Sequence, residues 1–314
     1  MGTEKNAITI INNVNKEKYE LSVAIINVKE NLNHISLDKE NIYDLGSKRA
    51  LFSLIGCYKI IKKLKPDIVL SFMHHINIVV GLTRLFNFEV NKFIARESNI
   101  PSLDNQNLKF SKLQKLLYKI FYKYFDVIIC QSQEMQDDII SYAGIPREKT
   151  IIIPNAIDVE KIQNDVKDIP DIYNNKCINI IAVGRLTYQK GFDMLLDAFS
   201  LIKSDNFHLT IIGIGPDEKK LKHQATKLKI SNKVSFLGFK NPPYEYMKHA
   251  DVFALTSRYE GFPNVVLESC AVGCPVVAFN CPGGIEEIID DGINGFKVTP
   301  GNIDIYARSL IKAS

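Results

Sequence analysis

Six cysteines, Cys57, Cys130, Cys177, Cys270, Cys274 and Cys281, are scattered through 314 residues with no C-x-x-C pair among them. Cys270 and Cys274 would share a helix face, but no histidine or second pair stands near enough in sequence to complete a tetrahedral site. Reduced thiols serving as small buried residues are the expectation, with no metal bound through cysteine. No apolar run approaches the ~20 residues of a membrane span. The first residues also lack the basic-then-apolar pattern of a signal peptide. Both absences give a cytoplasmic chain as the expectation, peripheral at most on the inner face of the membrane. The charge excess is small, 39 Lys and Arg against 35 Asp and Glu for a net +4, which argues against a nucleic-acid partner. Repeats of ~20–50 residues and low-complexity tracts are missing too. What remains is 46% hydrophobic and 24% charged, a soluble globular balance. The length suits two domains at ~100–200 residues each, large enough to form cores without disulfides or metals.

Short β-branched runs alternate with helical patterns along the chain. Asp67-Ile-Val-Leu-Ser-Phe72, Lys92-Phe-Ile-Ala95, Asp126-Val-Ile-Ile-Cys130 and Thr150-Ile-Ile-Ile-Pro154 are continuous apolar runs, as buried parallel strands require. Ile178–Val183, His208–Ile212, Val234–Phe236, Asp251–Leu255 and Pro275–Phe279 repeat the pattern, with helix-like segments between them. Such alternation means an α/β chain with doubly wound parallel sheets. A polar stretch with Pro170 and no strand signal marks a linker over 161–176, separating domains 1–160 and 177–314. Sheets of this kind bind ligands at the carboxyl ends of their strands, so facing domains would share a cleft.

Three segments carry chemistry. After the strand 178–183 comes Gly184-Arg185-Leu-Thr-Tyr-Gln-Lys190-Gly191 and then a helix. The helix N-terminus offers free N–H groups to an anion, and Arg185 and Lys190 can grip a diphosphate from two sides. The same stretch also reads as a solvated basic loop, and it is no Walker P-loop, because no Gly-Lys-Ser/Thr ends it. Gly213-Ile-Gly215-Pro216 follows the next strand and mimics part of a dinucleotide fingerprint, without its third glycine; a plain turn is the alternative. The most pointed segment is Glu260-Gly261-Phe262-Pro263-Asn264-Val-Val-Leu-Glu268. It places one carboxylate at a helix start and one two turns along, able to bind hydroxyls of two different rings. Glu268 sits among Val265, Leu267 and Cys270, where an unpartnered carboxylate would be costly.

Glu260-x7-Glu268 around Gly-Phe-Pro, Ala182-Val-Gly-Arg-Leu-x3-Lys-Gly191, and Pro282-Gly-Gly284 followed by Glu286-Glu-Ile-Ile resemble the retaining glycosyltransferases of family 4. The resemblance implies the GT-B fold, with two Rossmann-like doubly wound parallel-sheet domains facing across a cleft. It implies transfer of a sugar from a nucleotide-diphosphate donor to a glycan or lipid-diphosphate-linked acceptor, with retention and without a metal or other cofactor. Catalytic roles would fall to Glu260, Arg185 and Lys190. The donor would meet Gly184, Arg185, Lys190, Gly213, Gly215, Lys240, Glu260, the backbone of Gly261, Phe262, Pro263 and Asn264, and Glu268 at the ribose. Acceptor or cleft candidates are Gly2, His74, His75, Arg96 and Glu97. A subgroup likeness to N-acetylhexosaminyl transferases of lipid-linked glycans suggests a UDP-linked N-acetylhexosamine. A GT-B-like epimerase or phosphorylase, or a non-catalytic nucleotide-sugar-binding protein, keeps the same motifs. A nicotinamide oxidoreductase does not.

Two further expectations concern surfaces and ends. Lys109, Lys112, Lys115, Lys119 and Lys123 fall on a stretch without acids, where Phe110, Leu113, Leu117, Ile120, Phe121 and Tyr124 recur at helical spacing. A basic amphipathic helix there suits an anionic membrane surface, or else packs its stripe on the sheet. Family members begin with an apolar strand and a Gly-Gly-x-Glu loop, of which only Gly2-Thr-Glu4 has a counterpart. The resemblance therefore implies a missing first strand beside the strands near 19–28 and 67–72. It also implies further helices beyond the one starting near Ile303.

Overall fold

Apolar β-branched runs become strands and amphipathic runs become helices through both halves of the chain. The computed structural model describes residues 2–26, 36–47, 50–86, 89–105, 111–166, 173 and 177–314. The chain divides into two units, Met1–Ala156 and Ile157–Ser314.

The first unit opens with α1 (Gly2–Asn13), β1 (Val23–Ile25) and β2 (Ile42–Asp44), the two strands pairing in parallel. After α2 (Leu54–Leu64) come β3 (Ile68–Phe72), α3 (His74–Thr83), β4 (Lys92–Arg96), α4 (Pro101–Asn105) and α5 (Ser111–Phe121). They are followed by β5 (Val127–Cys130), α6 (Gln133–Ala143) and β6 (Thr150–Ile152). Strands β3-β4-β5-β6 form one parallel sheet in chain order. Phe93, Ala95, Ile128 and Cys130 are fully buried in its core with Tyr118, Tyr122 and Phe125. Among the described residues no strand pairs with β3 on the edge away from β4, and Ile68 and Leu70 are exposed there.

The second unit starts with α7 (Val159–Asn164), which occupies the opening of the segment read as a linker. Asp158 caps it by accepting from the Lys161 N–H at 2.9 Å, and the Gln163 amide donates to the Ala271 carbonyl at 2.9 Å. The rest of that linker, apart from Asp165, Val166 and Tyr173, lies outside the described residues. Then follow β7 (Ile178–Val183), α8 (Phe192–Ser200), β8 (Phe207–Ile212), α9 (Glu218–Lys227), β9 (Val234–Phe236) and α10 (Tyr244–Lys248). The unit ends with β10 (Val252–Leu255), α11 (Asn264–Ala271), β11 (Val276–Phe279), α12 (Ile285–Ile288), β12 (Gly295–Val298) and α13 (Ile303–Ala313). The six strands form one parallel sheet in the order β12-β11-β10-β7-β8-β9. Separate apolar clusters cover its two faces, which is why β10 and β11 are buried at every position. No helix among the described residues is long and apolar enough to cross a membrane.

Candidate functional site

In the second unit the strand order runs outward in opposite directions from β7 and β10. In a doubly wound sheet the connections leaving two such strands go to opposite faces, which opens a crevice at their carboxyl ends. The loops that leave β7 and β10 there are 184–191, one of the three segments that the sequence singles out, and 256–263, which ends on the Glu260-Gly-Phe-Pro263 start of another.

The first loop is held down by β8. The Gly184 N–H donates to the Ile212 carbonyl at 2.9 Å and the Leu186 N–H to the Ile214 carbonyl at 3.0 Å. Gly213, at φ +147°, passes so close that a Cβ there would lie 1.8 Å from the Gly184 carbonyl oxygen. Gly213 also donates to the Gly238 carbonyl at 2.8 Å, so the β7, β8 and β9 ends lie side by side. Gly215 abuts Leu186 in the same way, and Lys240, past β9, is exposed with its ammonium 6.0 Å from the Tyr246 ring. Arg185 points out of the loop, exposed, with no hydrogen-bond or ion-pair partner for its guanidinium among the described residues.

The turn Tyr188–Lys190 then meets the second loop. Gly191, at φ +62°, leaves no room for a side chain, since a Cβ would sit 2.0 Å from the Thr256 carbonyl oxygen. This contact brings Lys190 to Glu260. The ammonium donates to Glu260 Oε1 at 2.6 Å, and the Ser257 hydroxyl donates to the same oxygen at 2.5 Å. Both side chains are largely withdrawn from water, where an ion pair is weakly screened. Glu260 is anchored from behind by its N–H to the Pro282 carbonyl at 2.9 Å, and Gly284 donates to the Gly261 carbonyl at 2.9 Å. Phe262 packs on Gly284, Pro263 leads into α11, Asn264 begins that helix, and Glu268 is buried within it. The donor candidates are thus gathered on adjoining strand ends of one sheet. Ser257, Thr256, Arg258 and Asp193 escaped the sequence reading, because nothing in their spacing signals that they meet this loop.

The first unit treats its candidates differently. Arg96 and Glu97, expected to line a cleft wall, are 4% and 1% exposed. The Arg96 guanidinium donates to the carbonyls of Ile153 (3.1 Å) and Pro154 (3.3 Å) and to Asn155 Oδ1 (2.9 Å), fixing the segment after β6. Glu97 accepts from the Tyr122 hydroxyl and from the Asn77 amide at 3.1 Å, and burial pushes its carboxyl up to about 7. Ser71 donates to Asn77 at 2.8 Å, closing the network. His74 and His75 begin α3 behind Met73, which has φ +72°. His74 Nδ1 is 3.8 Å from Asp104, and burial lowers the pKa of both imidazoles. Gly2 is exposed at the start of α1. Among the described residues no three His, Cys, Asp or Glu side chains are grouped to hold a metal ion.

Comparison with known proteins gives this geometry a family. The profile for glycosyl transferases group 1 matches residues 166–314, and that for glycosyltransferase family 4 matches residues 33–161. An uncharacterized glycosyltransferase of Methanocaldococcus jannaschii is 35% identical over 75% of this chain and 61% of its own length. The N-acetylgalactosamine-N,N'-diacetylbacillosaminyl-diphospho-undecaprenol 4-alpha-N-acetylgalactosaminyltransferase of Campylobacter jejuni is 32% identical over 80% of this chain and 68% of its own. Among solved structures, the lipopolysaccharide outer core galactosyltransferase WaaB superposes with a TM-score of 0.72 at 22% identity, covering 99% of this chain and 85% of WaaB. Anabaena HepE in complex with UDP gives 0.71 at 22% identity, over 89% of this chain and 76% of HepE. With both profiles matched in order and the fold shared along nearly its whole length, the chain belongs to glycosyltransferase family 4 and has the GT-B fold.

Proposed function

We propose that the chain is a retaining glycosyltransferase that moves a sugar, an N-acetylhexosamine, from a UDP-linked donor to a glycan or lipid-diphosphate-linked acceptor. The observation that carries the donor reading is the pairing of Lys190 with Glu260 at the β7–β10 switch point, beside an exposed Arg185. A diphosphate arriving at loop 184–191 meets two cations and the N-terminus of α8. Glu260, next to Lys190, is in position to accept from sugar hydroxyls, and Glu268 from those of the ribose. The names of relatives favour the substrates, since the Campylobacter protein acts on a diphospho-undecaprenol-linked glycan and an Escherichia coli relative uses UDP-Gal.

In this reading the bond between the anomeric carbon and the UDP oxygen breaks as the acceptor oxygen bonds to the same face. The acceptor proton passes to the departing diphosphate. Negative charge builds on that leaving group, so Lys190 and Arg185 stabilise the transition state more than the ground state. No metal ion is assigned a role, because these side chains supply the countercharge. The decisive experiment is a nucleotide-sugar panel scored by thermal shift and then by product analysis with a lipid-diphosphate sugar. Stabilisation by UDP-sugars and a product of retained configuration is expected. Stabilisation by NAD alone, or inversion of the nucleotide sugar with no acceptor present, would refute the assignment.

A second part of the reading concerns location. Helix α5 turns Tyr118 and Tyr122 of the adjoining turn into the core, yet leaves Leu113 and Leu116 about half exposed among Lys112, Lys115 and Lys119. An outward face of leucines and lysines suits the boundary of an anionic membrane, where a lipid-linked acceptor would be met.

A further inference from the structure

Arg258 lies two residues before Glu260, and its contacts run to the other loop. Its guanidinium donates to both Asp193 oxygens, at 2.9 and 2.7 Å, and to the Tyr188 carbonyl at 2.6 Å. The same group lies 3.9 Å from the centre of the Tyr188 ring, whose other side faces solvent. Its backbone N–H donates to the Gln189 carbonyl at 2.8 Å, while the Gln189 amide donates to the Tyr259 carbonyl at 3.0 Å. The Thr256 hydroxyl donates to the Gly191 carbonyl at 2.9 Å. Each residue from Tyr188 to Gly191 is therefore tied to the loop after β10, Tyr188 and Gln189 through Arg258, Lys190 through Glu260 and Gly191 through Thr256.

The turn so held needs holding. Tyr188–Lys190 is a single 3-10 turn, closed by Lys190 N–H to Thr187 at 3.0 Å and Gly191 N–H to Tyr188 at 3.3 Å. Such a turn has little rigidity of its own. Burial alone would raise the Asp193 carboxyl, but the Arg258 hydrogen bonds and charge outweigh it and hold the group below its ordinary value. Only a planar guanidinium can serve a carboxylate with two parallel bonds, a carbonyl and a ring face at once.

We propose that Arg258, with Asp193 and Tyr188, is a positioning residue of the donor site, clamping the turn that carries Lys190 so that its ammonium is in place for the donor diphosphate. The proposal rests on the donor reading above. Arg258 touches no ligand in this account and acts through Lys190.

The test is a double-mutant cycle read by calorimetric titration of UDP. Arg258→Lys keeps the charge but loses the fork and the stack. It is expected to weaken UDP binding at least tenfold in the otherwise unchanged chain. In a Lys190→Ala background the same change should cost less than twofold, because the group it positions is gone. An equal loss in both backgrounds would mean that Arg258 merely supports the fold, and no loss in the unchanged chain would also overturn the proposal. Should Arg258→Lys fail to fold, by circular dichroism, Tyr188→Leu at the exposed end of the stack takes its place, with threefold as the expected loss and the same dependence on Lys190. If the unchanged chain binds neither UDP nor another nucleoside diphosphate, the donor reading itself fails and the clamp with it. Binding by the unchanged chain with additive losses sinks the clamp alone.

Discussion

Arg96 and Arg185 both stand at the carboxyl end of a parallel strand, and the chain uses them in opposite ways. Arg96 is buried, with its guanidinium committed to Ile153, Pro154 and Asn155 of the same unit. Arg185 is exposed at the switch point of a six-stranded sheet, and no described residue neutralises it. A strand end therefore does not by itself make a binding residue. A guanidinium taken out of water must find acceptors within the fold, whereas one left at the crevice can wait for an anion. The same contrast separates Glu97, enclosed by Tyr122 and Asn77, from Glu260, which pairs with Lys190 at the strand ends of the second unit.

The largest effect that sharpens this contrast comes from removing each arginine. Arg96→Ala removes the donor to Ile153, Pro154 and Asn155 and leaves a cavity where the buried guanidinium lay, so stability should fall by roughly 3 kcal/mol. Arg185→Ala should leave stability within about 0.5 kcal/mol and yet weaken UDP binding tenfold or more, as loss of a charge-assisted contact does. Denaturant unfolding and calorimetry on both variants check the pair. If Arg96→Ala unfolds like the parent chain and loses acceptor turnover instead, the division between the two units is wrong.

A pH experiment follows from Glu97. Burial lifts its folded-state pKa to about 7, against an unfolded carboxyl at ~4.3. Between these values the folded chain holds the proton and the unfolded chain does not. Stability should therefore decline as pH rises across that window, by at most roughly 4 kcal/mol, and level off above it. Glu97→Gln removes the titrating group, so its unfolding free energy should lose this component of the slope between about pH 4.3 and 7. An unchanged slope would show that Glu97 stays ionised in the folded state.

The fold was legible wherever one physical rule governed a segment. Continuous β-branched runs gave β3 to β11, because strands buried on both faces cannot alternate. Two short strands escaped. Ile42–Asp44 has only two apolar residues, and Gly295-Phe-Lys-Val298 opens on a glycine and carries a lysine, so both resemble turns. Helix α7 was hidden because a polar surface helix of six residues reads like a linker. At the site, motif spacing led to Glu260, Glu268, Arg185 and Lys190. It could not reveal that Lys190 touches Glu260, seventy positions away, or that Asp193 meets Arg258 across 65. Nor did it foresee that Arg96 and Glu97 face inward, since burial depends on Tyr122 and on the segment after β6, far off in sequence.

Within the second unit the two carboxylates should divide their labour. Glu268→Ala should weaken free UDP about tenfold, because its place within α11 is read as the ribose contact. Glu260→Ala should leave free UDP nearly unaffected and lower turnover by a similar factor, because it is read as the contact to the donor sugar. Calorimetry with UDP alongside initial rates with a UDP-sugar separates the two. Equal loss of UDP binding by both variants would end the division.

The smallest effect tests whether the first unit also has an outward role. Tyr118 and Tyr122 are stacked at 4.5 Å and fully enclosed, and they anchor α5 and its following turn in the core. Of the apolar stripe that the sequence leaves open between a membrane face and the sheet, Leu117, Phe121 and Tyr124 are half-buried and Phe110 lies outside the described residues, whereas Leu113 and Ile120 are exposed. Their exposure beside Lys112, Lys115, Lys119 and Lys123 is what a helix shaped only for packing would avoid. A lysine near an anionic bilayer contributes ~1 kcal/mol, so Lys119→Gln should reduce vesicle binding about fivefold. Because Lys119 is an exposed surface residue, unfolding should shift by less than about 0.5 kcal/mol. Co-sedimentation with vesicles of graded phosphatidylglycerol content, repeated at raised salt, provides the measurement. Binding should rise with anionic lipid and fall with salt. Binding indifferent to both, or undiminished in Lys119→Gln, would return α5 to a purely internal role and leave the first unit without a demonstrated outward face.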